Sequence, residues 1–528
     1  MGIVNAYRLA RAGWAVARAG GFSFIDLDGV PPRAATAVRI ARAFEPRGLD
    51  DSERGRRMST ALNRLGPSYV KLGQFLATRP DIVGAEMAET LSGLKDEMPP
   101  FPTETAKTII AANLGRTVEE LFLTFSEPLA AASIAQVHQA TVMRDGQVDT
   151  VAVKVLRPDV RQRLSRDLET FYSAARFIEK NAPQARRLKP IAVVETLERS
   201  VVLEMDLRLE AAANSEMAEN VSGETDFAVP PVDWSMTGRD VLVTDWVQGT
   251  KMRNREAIVA AGHDPKRLAR IVVQSFLRHA LRDGFFHGDM HEGNLFVDTE
   301  GRLVAVDLGI VGRIGKKERR FLAEILYGFI RRDYMRIAEV HIEAGYVPSI
   351  HSAEDFAQAL RAIGEPIHGQ RAADISMAKL LGLLFEVTEI FDMQTRPELI
   401  LLQKTMVVVE GVARRLDPDF DMWTTADPVV REWIERNLGV QGHVERFMDG
   451  MKALTQFAIE LPYVLERLDT YTEELERVAQ RGVRLDQGTV SEIGREVARH
   501  IRWALVALWV MAAVAAGAGV AGLFGFFK

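Results

Sequence analysis

Apolar residues recur at the three- and four-residue spacing of amphipathic helices near both ends of the chain, whereas short strand-like apolar runs lie in its middle. Predicted helices cover residues 1–25, 67–80, 159–182, 316–345, 353–415 and 443–480, with breaks at Gly345 and Gly364. Predicted strands cover residues 150–156, 241–245, 295–297 and 303–306. The last two strands would form a hairpin closed by residues 298–301. The pattern predicts an α+β fold with a mostly helical second half.

The last apolar run is long enough to cross a bilayer. Trp503 to Phe527 are 25 residues without a charge, and at about 1.5 Å rise per residue they cover a hydrocarbon core of about 30 Å. We predict one transmembrane helix over residues 503–527. Three arginines precede it and place the rest of the chain on the cytoplasmic side: Arg495, Arg499 and Arg502. Small residues repeat every four positions along it and would let two copies pair as a homodimer: Ala513, Gly517, Ala521 and Gly525.

The first helix carries arginines but no acid. Arg8, Arg11 and Arg18 interrupt any apolar core, which excludes a secretory signal. Such a helix suits a transit peptide, a membrane surface or a docked position on the fold equally well.

Composition adds two exclusions. The net charge of −6 is small for 528 residues and does not indicate nucleic-acid binding. The chain contains no cysteine, which excludes disulfides and a thiol nucleophile.

Two polar segments beside the predicted hairpin point to phosphate chemistry. Residues 286–294 read Phe-His-Gly-Asp-Met-His-Glu-Gly-Asn, so Asp289 and Asn294 have the spacing of a kinase catalytic loop. Asp307-Leu308-Gly309 follows where a kinase keeps Asp-Phe-Gly. There, one carboxylate orients or deprotonates the acceptor, while the amide and the second carboxylate hold Mg²⁺ against nucleotide phosphates. We therefore predict Asp289 as catalytic, and Asn294 and Asp307 as Mg²⁺ ligands.

A loop of small residues precedes a strand that contains Lys154. Alanines replace the glycines of a phosphate-binding loop, which restricts positive φ and keeps the backbone farther from a phosphate. Altered nucleotide preference or slow turnover is expected. The predicted nucleotide-binding residues of this loop are Ala131, Ala132, Ser133, Ile134, Ala135, Gln136 and Val137.

Lys154 stands where a kinase keeps the lysine that contacts the phosphates. A lysine inside an apolar strand needs a partner. Glu204 and Glu210, on a stretch predicted to be helical, are both candidates.

Lys71, Gln74 and Thr78 share one face of a helix that Pro67 opens and Pro80 ends. Taken alone, this pattern favours a solvated polar stripe.

Five segments in this order resemble the UbiB family of atypical protein-kinase-like proteins, which is associated with ubiquinone (coenzyme Q) biosynthesis. The similarity runs from about residue 60 to about residue 320. The family's signatures correspond to Lys71–Gln74 (Lys-x-Gly-Gln), the alanine-rich loop Ala130–His138, Lys154, Glu204–Asp206 (Glu-x-Asp), and the catalytic residues Asp289, Asn294 and Asp307. The resemblance implies a two-lobed protein-kinase-like fold in which Lys71 and Gln74 lie over the active site, Lys71 as a further catalytic residue.

Three departures from the family pattern stand out. Residues 288–292 read Gly-Asp-Met-His-Glu where Ala-Asp-Pro-His-Pro is expected, so the loop backbone is less constrained. Leu308 replaces the usual Phe, and one membrane helix is predicted where bacterial members often have two.

The predicted substrate is not a peptide. No Ala-Pro-Glu follows Asp307, and Gly312-Arg313 leads almost directly into the helix that begins near Lys316. The substrate-binding segment of a protein kinase is therefore missing.

The predicted division of the chain runs from an N-terminal amphipathic region to a membrane helix. Its parts are the N-terminal helical region 1–58, the Lys-x-Gly-Gln extension 59–125, the nucleotide-binding small lobe 126–248, the large lobe 249–440, the helical segment 441–500 and the transmembrane helix 503–527.

The resemblance implies an atypical kinase or ATPase of the bacterial inner membrane that uses ATP or ADP with Mg²⁺. Its implied partners are membrane lipid, prenylphenol intermediates and other ubiquinone-biosynthesis proteins. Two alternatives stay open: a non-catalytic nucleotide-sensing scaffold and a small-molecule phosphotransferase.

Overall fold

The computed structural model describes residues 3–24, 32–46, 51–77, 98–181, 189–368 and 397–438, together with a few positions in the gaps. The predictions for Thr78 and for residues 443–480 and 503–527 fall outside these ranges. Within them, no helix is both long and apolar enough to cross a membrane.

The N-terminal region forms four helices and a short 3₁₀ turn at Gly21–Phe24: α1 (Ile3–Ala19), α2 (Pro32–Ala43), α3 (Asp51–Leu65) and α4 (Pro67–Ala77). The inner face of α1 packs through Ala12 and Ala19 into a core that includes Met58 and Leu62 of α3. The first helix is therefore docked on the fold, one of the three interpretations left open. The predicted boundary between residues 58 and 59 lies inside α3, because its apolar face continues unbroken past that point.

A five-stranded antiparallel sheet forms the small lobe, with strand order β1-β3-β4-β6 and β2 paired to β3. Its strands are β1 (Thr124–Phe125), β2 (Ala130–Ala131), β3 (Ala135–Arg144), β4 (Gln147–Leu156) and β6 (Val241–Asp245). The tight turn between β3 and β4 is made by Asp145 and Gly146, both at positive φ. The predicted strands 150–156 and 241–245 are confirmed.

Helices cover both faces of this sheet. On one face, α5 (Thr103–Leu114) and α6 (Val118–Leu121) bury Ile110 and Val118 in one core with Val151 and Val153. Residues 103–121, which the predicted division places in the extension, therefore pack on the sheet of the small lobe. On the other face lie α7 (Val160–Asn181), α8 (Pro190–Glu204) and α9 (Leu207–Asn220); α7 confirms the helix predicted over 159–182.

The stretch from Glu204 to Glu210 is predicted to be one helical segment, but it is divided between two helices. Helix α8 ends at Glu204, Met205 is buried, and Asp206 caps α9 by accepting a hydrogen bond from the Arg208 N–H at 3.2 Å. The break places Glu204 and Glu210 on two different helices.

The large lobe begins with a second sheet of order β5-β10-β9-β7 and a two-stranded sheet β8-β11. The strands are β5 (Phe227–Ala228), β7 (Gly249–Lys251), β8 (Phe285–His287), β9 (Leu295–Asp298), β10 (Leu303–Ala305) and β11 (Val311–Arg313). The predicted hairpin is confirmed as β9–β10, with Leu303 opposite Val297.

Helices complete the large lobe around one apolar core. They are α10 (Arg255–Ala260), α11 (Pro265–Arg278) with a π-helical turn at His279–Asp283, α12 (Lys316–Arg331), α13 (Tyr334–Glu343), α14 (Ala353–His368), α15 (Pro397–Leu416) and α16 (Met422–Leu438). Gly345, at φ 71°, ends a helix as predicted, but a further break occurs at Arg332 and Asp333. Gly364 does not break a helix: it lies inside α14, where a side chain would collide with the ring of Tyr334.

Gly364→Ala should destabilise the protein, because the added Cβ would lie 2.5 Å from ring atoms of the buried Tyr334. The expected cost is about 1–3 kcal/mol of unfolding free energy, measured by denaturant unfolding. Gly411→Ala in α15 is the matched control: its Cβ meets nothing within 4 Å, so it should stabilise by up to about 1 kcal/mol. Equal stability of the two variants would contradict the close packing at Gly364.

Candidate active site

Lys154 lies between two carboxylates. Strand β4 pairs on both sides, with Lys154 opposite Val137 of β3 and Leu242 of β6. Its ammonium donates to both carboxylate oxygens of Glu210 at 2.8 Å and to Oδ1 of Asp307 at 2.9 Å. Glu210 and not Glu204 is therefore the partner of Lys154, and the small-lobe lysine directly contacts the acid after the hairpin.

This triad consists of one ammonium and two carboxyl groups. Burial opposes the charged form of Lys154, but Asp307 and Glu210 outweigh that effect and raise its pKa. Burial also raises the pKa of Glu210 to about 7, against the attraction of Lys154. For Asp307, burial is outweighed by Lys154, with smaller contributions from His287 and Lys71, so its pKa falls well below its usual range. Asp307 is thus the carboxylate that stays ionised beside Lys154, whereas Glu210 titrates near neutral pH.

Lys71 makes a separate ion pair with Glu204, at 2.5 Å, and both side chains are largely buried. Because Glu204 ends α8, this pair fastens α4 to the helix before the Asp206 cap. Lys71 is also close enough to Asp307 to help lower its pKa. Gln74 follows one turn later on α4 and is half-buried; its predicted contact with nucleotide stays a prediction.

Asn294 and Asp307 lie at the two ends of the β9–β10 hairpin. Asp307 has φ 61°, a left-handed conformation that aspartate tolerates better than most residues. The Val306 N–H donates to the Asn294 carbonyl at 2.9 Å, which ties the end of the hairpin to the loop before it. The side-chain Nδ2 of Asn294 donates to the Asp289 carbonyl at 3.2 Å, so Oδ1 is the atom with which this side chain could hold a metal.

These two oxygen donors fit Mg²⁺ held jointly by protein and phosphate, because Mg²⁺ usually takes one or two protein ligands and completes its shell with water and phosphate oxygens. Among the described residues, no group of three or more His, Asp or Glu side chains forms a metal site.

Asp289 is positioned by a buried histidine. The Asp289 N–H donates to Nδ1 of His287 at 3.1 Å, so the proton on that ring is at Nε2, which faces the Val306 carbonyl at 3.1 Å. Burial lowers the pKa of His287 and keeps it neutral. The Asp289 carboxylate is partly exposed and lies 3.7 Å from Nε2 of His291. Lys154 and Asp307 are thus in direct contact, and Asp289 and Asp307 both lie close to His287.

The alanine-rich loop is shorter than predicted. Ala131 lies in β2, Ala135 and Val137 lie in β3, and only residues 132–134 connect them. The Ala132 N–H already donates to the Ala135 carbonyl at 2.8 Å. Ser133 and Ile134 are both buried. The predicted phosphate contacts of residues 131–137 stay a prediction, with residues 132–134 forming the turn itself.

The predicted nucleotide contact of Gln136 stays a prediction, although its side chain is hydrogen-bonded elsewhere. Its buried side chain bonds both backbone groups of Phe101, at 2.9 and 3.2 Å, and faces His138. Strand β3 alternates between two cores. The face to which Gln136 points could therefore be assigned only once the positions of α5 and α6 were known.

The predictions from the sequence did not include Arg157, which supports the alanine turn. Its Nε donates to the Ala132 carbonyl at 2.8 Å and its Nη2 to the Pro99 carbonyl at 2.9 Å. This guanidinium braces the turn from the strand end, so the turn does not depend on glycine for its shape.

Helix α15 holds the catalytic loop. The Thr405 hydroxyl donates to the Gly288 carbonyl at 3.0 Å, and Arg415 pairs with Glu292 at 2.6 Å. Met290, between these tethers, is fully buried. The two positions where the family pattern has proline are thus held here by packing and by an ion pair, which no local sequence signal indicated.

The chain matches two family descriptions. Residues 93–341 match the ABC1 atypical kinase-like domain, and residues 360–421 match the UbiB helical domain.

Curated relatives match most of the chain. It is 37% identical over 466 residues to a protein named Probable protein kinase UbiB from Marinobacter nauticus, covering 87% of this chain and 84% of that protein. A protein of the same name from Azotobacter vinelandii is 36% identical over 439 residues, covering 82% of this chain and 80% of that protein.

A solved structure of an Rv3197–erythromycin complex from Mycobacterium tuberculosis is 22% identical, with a TM-score of 0.48, and covers 76% of this chain and 98% of that one. That similarity is too low to support an argument.

Lys71→Met should lower the free energy of unfolding by about 3–5 kcal/mol, because it leaves the buried Glu204 carboxylate without its ammonium partner. Lys71→Met/Glu204→Met should recover most of the loss, since no buried charge then remains. Urea unfolding measures both. The control is Lys107→Met, which breaks an exposed pair with Glu104 and should change little. A Lys71→Met protein as stable as the wild type would contradict the buried pair.

Arg415→Ala should loosen the catalytic loop without unfolding the protein, because the ion pair with Glu292 is largely exposed. Hydrogen exchange of the amides of residues 288–294 should accelerate by up to about fivefold, equivalent to about 1 kcal/mol. Mass spectrometry of that peptide measures the change.

Two controls identify the cause. The reversed pair Glu292→Arg/Arg415→Glu should restore slow exchange, while Arg431→Ala, which removes a pair with Asp427 on α16, should leave the loop unaffected. If Arg415→Ala exchanges like the wild type, α15 does not hold the loop through this pair.

Proposed function

The chain belongs to the UbiB family of atypical kinase-like proteins, and we propose that it is a membrane-anchored, nucleotide-dependent enzyme that supports ubiquinone biosynthesis. The family resemblance drawn from five sequence segments is confirmed by the two domain matches and the curated relatives.

The contact of Lys154 with both Glu210 and Asp307 carries the proposal. In kinases, the lysine–glutamate pair and the metal-binding aspartate must be in place together for phosphoryl transfer. Here both contacts exist at once, at 2.8 and 2.9 Å. The substrate in this scheme is ATP, or ADP as the bound nucleotide, and Lys154 contacts its α- and β-phosphates.

The remaining roles follow from position. Asn294 and Asp307 hold Mg²⁺, which neutralises charge on the phosphates when bound. Asp289, partly exposed beside this pair, orients water or an acceptor hydroxyl. Lys71 and Gln74 cover the site from α4 and restrain access to it.

The acceptor in this proposal is water or a small molecule and not a peptide. Strand β11 ends at Arg313 and α12 begins at Lys316, so two residues replace the substrate-binding segment of a protein kinase. A prenylphenol intermediate at the cytoplasmic face of the bacterial inner membrane is the proposed acceptor or stimulus. Residues 503–527 are the proposed anchor, and other ubiquinone-biosynthesis proteins are the proposed partners.

Asp307→Asn should abolish Mg²⁺-dependent ATP turnover, because the amide removes the charge that holds the metal. Loss of several kcal/mol of electrostatic stabilisation corresponds to at least about a 100-fold lower rate. The assay compares phosphate release with and without membranes and phenolic lipids. Quinone content is measured in parallel in a strain that lacks its own copy and carries the variant.

Asp427→Asn, on the surface of α16, is the control and should behave as the wild type. If Asp307→Asn abolished quinone production while the wild type showed no turnover under any condition, the nucleotide-sensing scaffold would replace the enzyme. A phosphorylated metabolite in place of free phosphate would favour the small-molecule phosphotransferase.

A further inference from the structure

The outward face of α1 alternates aromatic and basic side chains. Tyr7, Arg11, Trp14 and Arg18 are spaced four, three and four residues apart, and all four are exposed. They therefore form one stripe along the helix, opposite the buried Ala12 and Ala19. Tyr7 and Trp14 are 70% and 52% exposed, although nothing in the proposed chemistry uses them.

Helix α2 continues this face. Ile40 and Phe44 are at least half exposed, and Arg39 beside them is also exposed. The rings of Trp14 and Phe44 are 5.0 Å apart between centroids, so the two stripes meet. Between the helices lies an open apolar cavity of about 310 Å³ whose lining includes Gly13, Ala17, Phe22 and Val38.

The charged side chains of this face are all basic: Arg11, Arg18 and Arg39. Within residues 3–24 and 32–46, the only acid is Glu45. Its Oε1 accepts hydrogen bonds from the Phe22 and Ser23 amides at 2.6 and 3.1 Å, so this carboxylate stabilises the 3₁₀ turn that follows α1. The exposed cations Arg11, Arg18 and Arg39 consequently face solvent in a setting without a competing acid from these helices.

We propose that this N-terminal face, made of Tyr7, Arg11, Trp14 and Arg18 on α1 and of Arg39, Ile40 and Phe44 on α2, docks on the surface of an anionic bilayer. Helices that lie in the interface combine arginine with tryptophan and other apolar side chains in this way. The aromatic rings enter the headgroup region, and the arginines extend to lipid phosphates. Each arginine near an anionic surface strengthens attachment by about fivefold.

This contact goes beyond the proposed function, because it requires neither nucleotide nor the proposed anchor at residues 503–527. It gives the kinase-like part a second attachment, through α1 and α2, of which α1 packs against α3 and α7.

The absence of native cysteine permits a site-specific test on the full chain. Single cysteines at Trp14 or Phe44, and at Met143 or Val148 on the exposed β3–β4 turn as controls, are labelled with an environment-sensitive fluorophore. The labelled chains are reconstituted into nanodiscs of phosphatidylcholine with or without phosphatidylglycerol, and quenching by spin-labelled lipid is measured.

Labels at Trp14 and Phe44 should be quenched in anionic nanodiscs, while labels at Met143 and Val148 should not. Reversing the three arginines (Arg11→Glu/Arg18→Glu/Arg39→Glu) should weaken docking by at least about 100-fold and reduce the quenching to the control level. Unchanged circular dichroism and thermal unfolding confirm that the variants fold.

Two results would overturn the inference. Labels at Trp14 and Phe44 that remain as accessible to water as the controls would show that no bilayer covers this face. Labels that become protected without lipid, in proportion to protein concentration, would show that a second copy covers it. Nucleotide turnover does not enter the readout, so failure of the proposed function leaves this test unaffected.

Discussion

The sharing of Lys154 between Glu210 and Asp307 is the constraint on which the arrangement of the site depends. The lysine is on a central strand of one sheet, Glu210 on a helix beside that sheet, and Asp307 after a hairpin of the other lobe. Burying an ammonium is costly unless hydrogen-bonding partners surround it. The contact of Lys154 with Asp307 therefore holds the two lobes together at this point. Lys154 keeps Asp307 ionised although this carboxylate is buried. An ionised carboxylate oxygen in the cleft is a suitable ligand for a divalent cation.

A second buried pair sets the position of the first. The chain leaves α8 at Glu204, turns through Met205 and re-enters a helix after the Asp206 cap, so two glutamates six positions apart face two different lysines. Had the helix continued, those side chains would be nearly two turns apart on one axis. The Glu-x-Asp signature therefore works as a junction: Glu204 holds α4 through Lys71, and Asp206 begins the helix that carries Glu210.

The sequence was sufficient for the elements in which local pattern and chemistry agree. The strand of Lys154, the hairpin before Asp307 and the helix over 159–182 each combine strong periodicity with clear ends.

The sequence was insufficient where tertiary packing decides the structure. Glycine normally weakens a helix, but Gly364 persists inside α14 because the Tyr334 ring occupies the space of a side chain. Likewise, Gln136 lies in a motif that resembles a phosphate loop, yet strand alternation turns its side chain toward Phe101. The choice between Glu204 and Glu210 also required the position of α4, which no periodicity supplies.

Rigidity in the two functional loops comes from distant side chains and not from the loops' own residues. Glycine and proline fix a backbone through local conformational preference, and this chain uses alanine in one loop and methionine and glutamate in the other. Arg157 braces the alanine turn from the end of β4, and Thr405 and Arg415 hold the catalytic loop from α15. A loop fixed by its own sequence is insensitive to its surroundings, whereas a loop fixed by a neighbouring helix follows that helix. Because α15 belongs to the helical domain that ends just before α16, any displacement of that domain would reach Gly288 and Glu292 directly. The departures from the family's loop sequence thus exchange local stiffness for dependence on the helical domain.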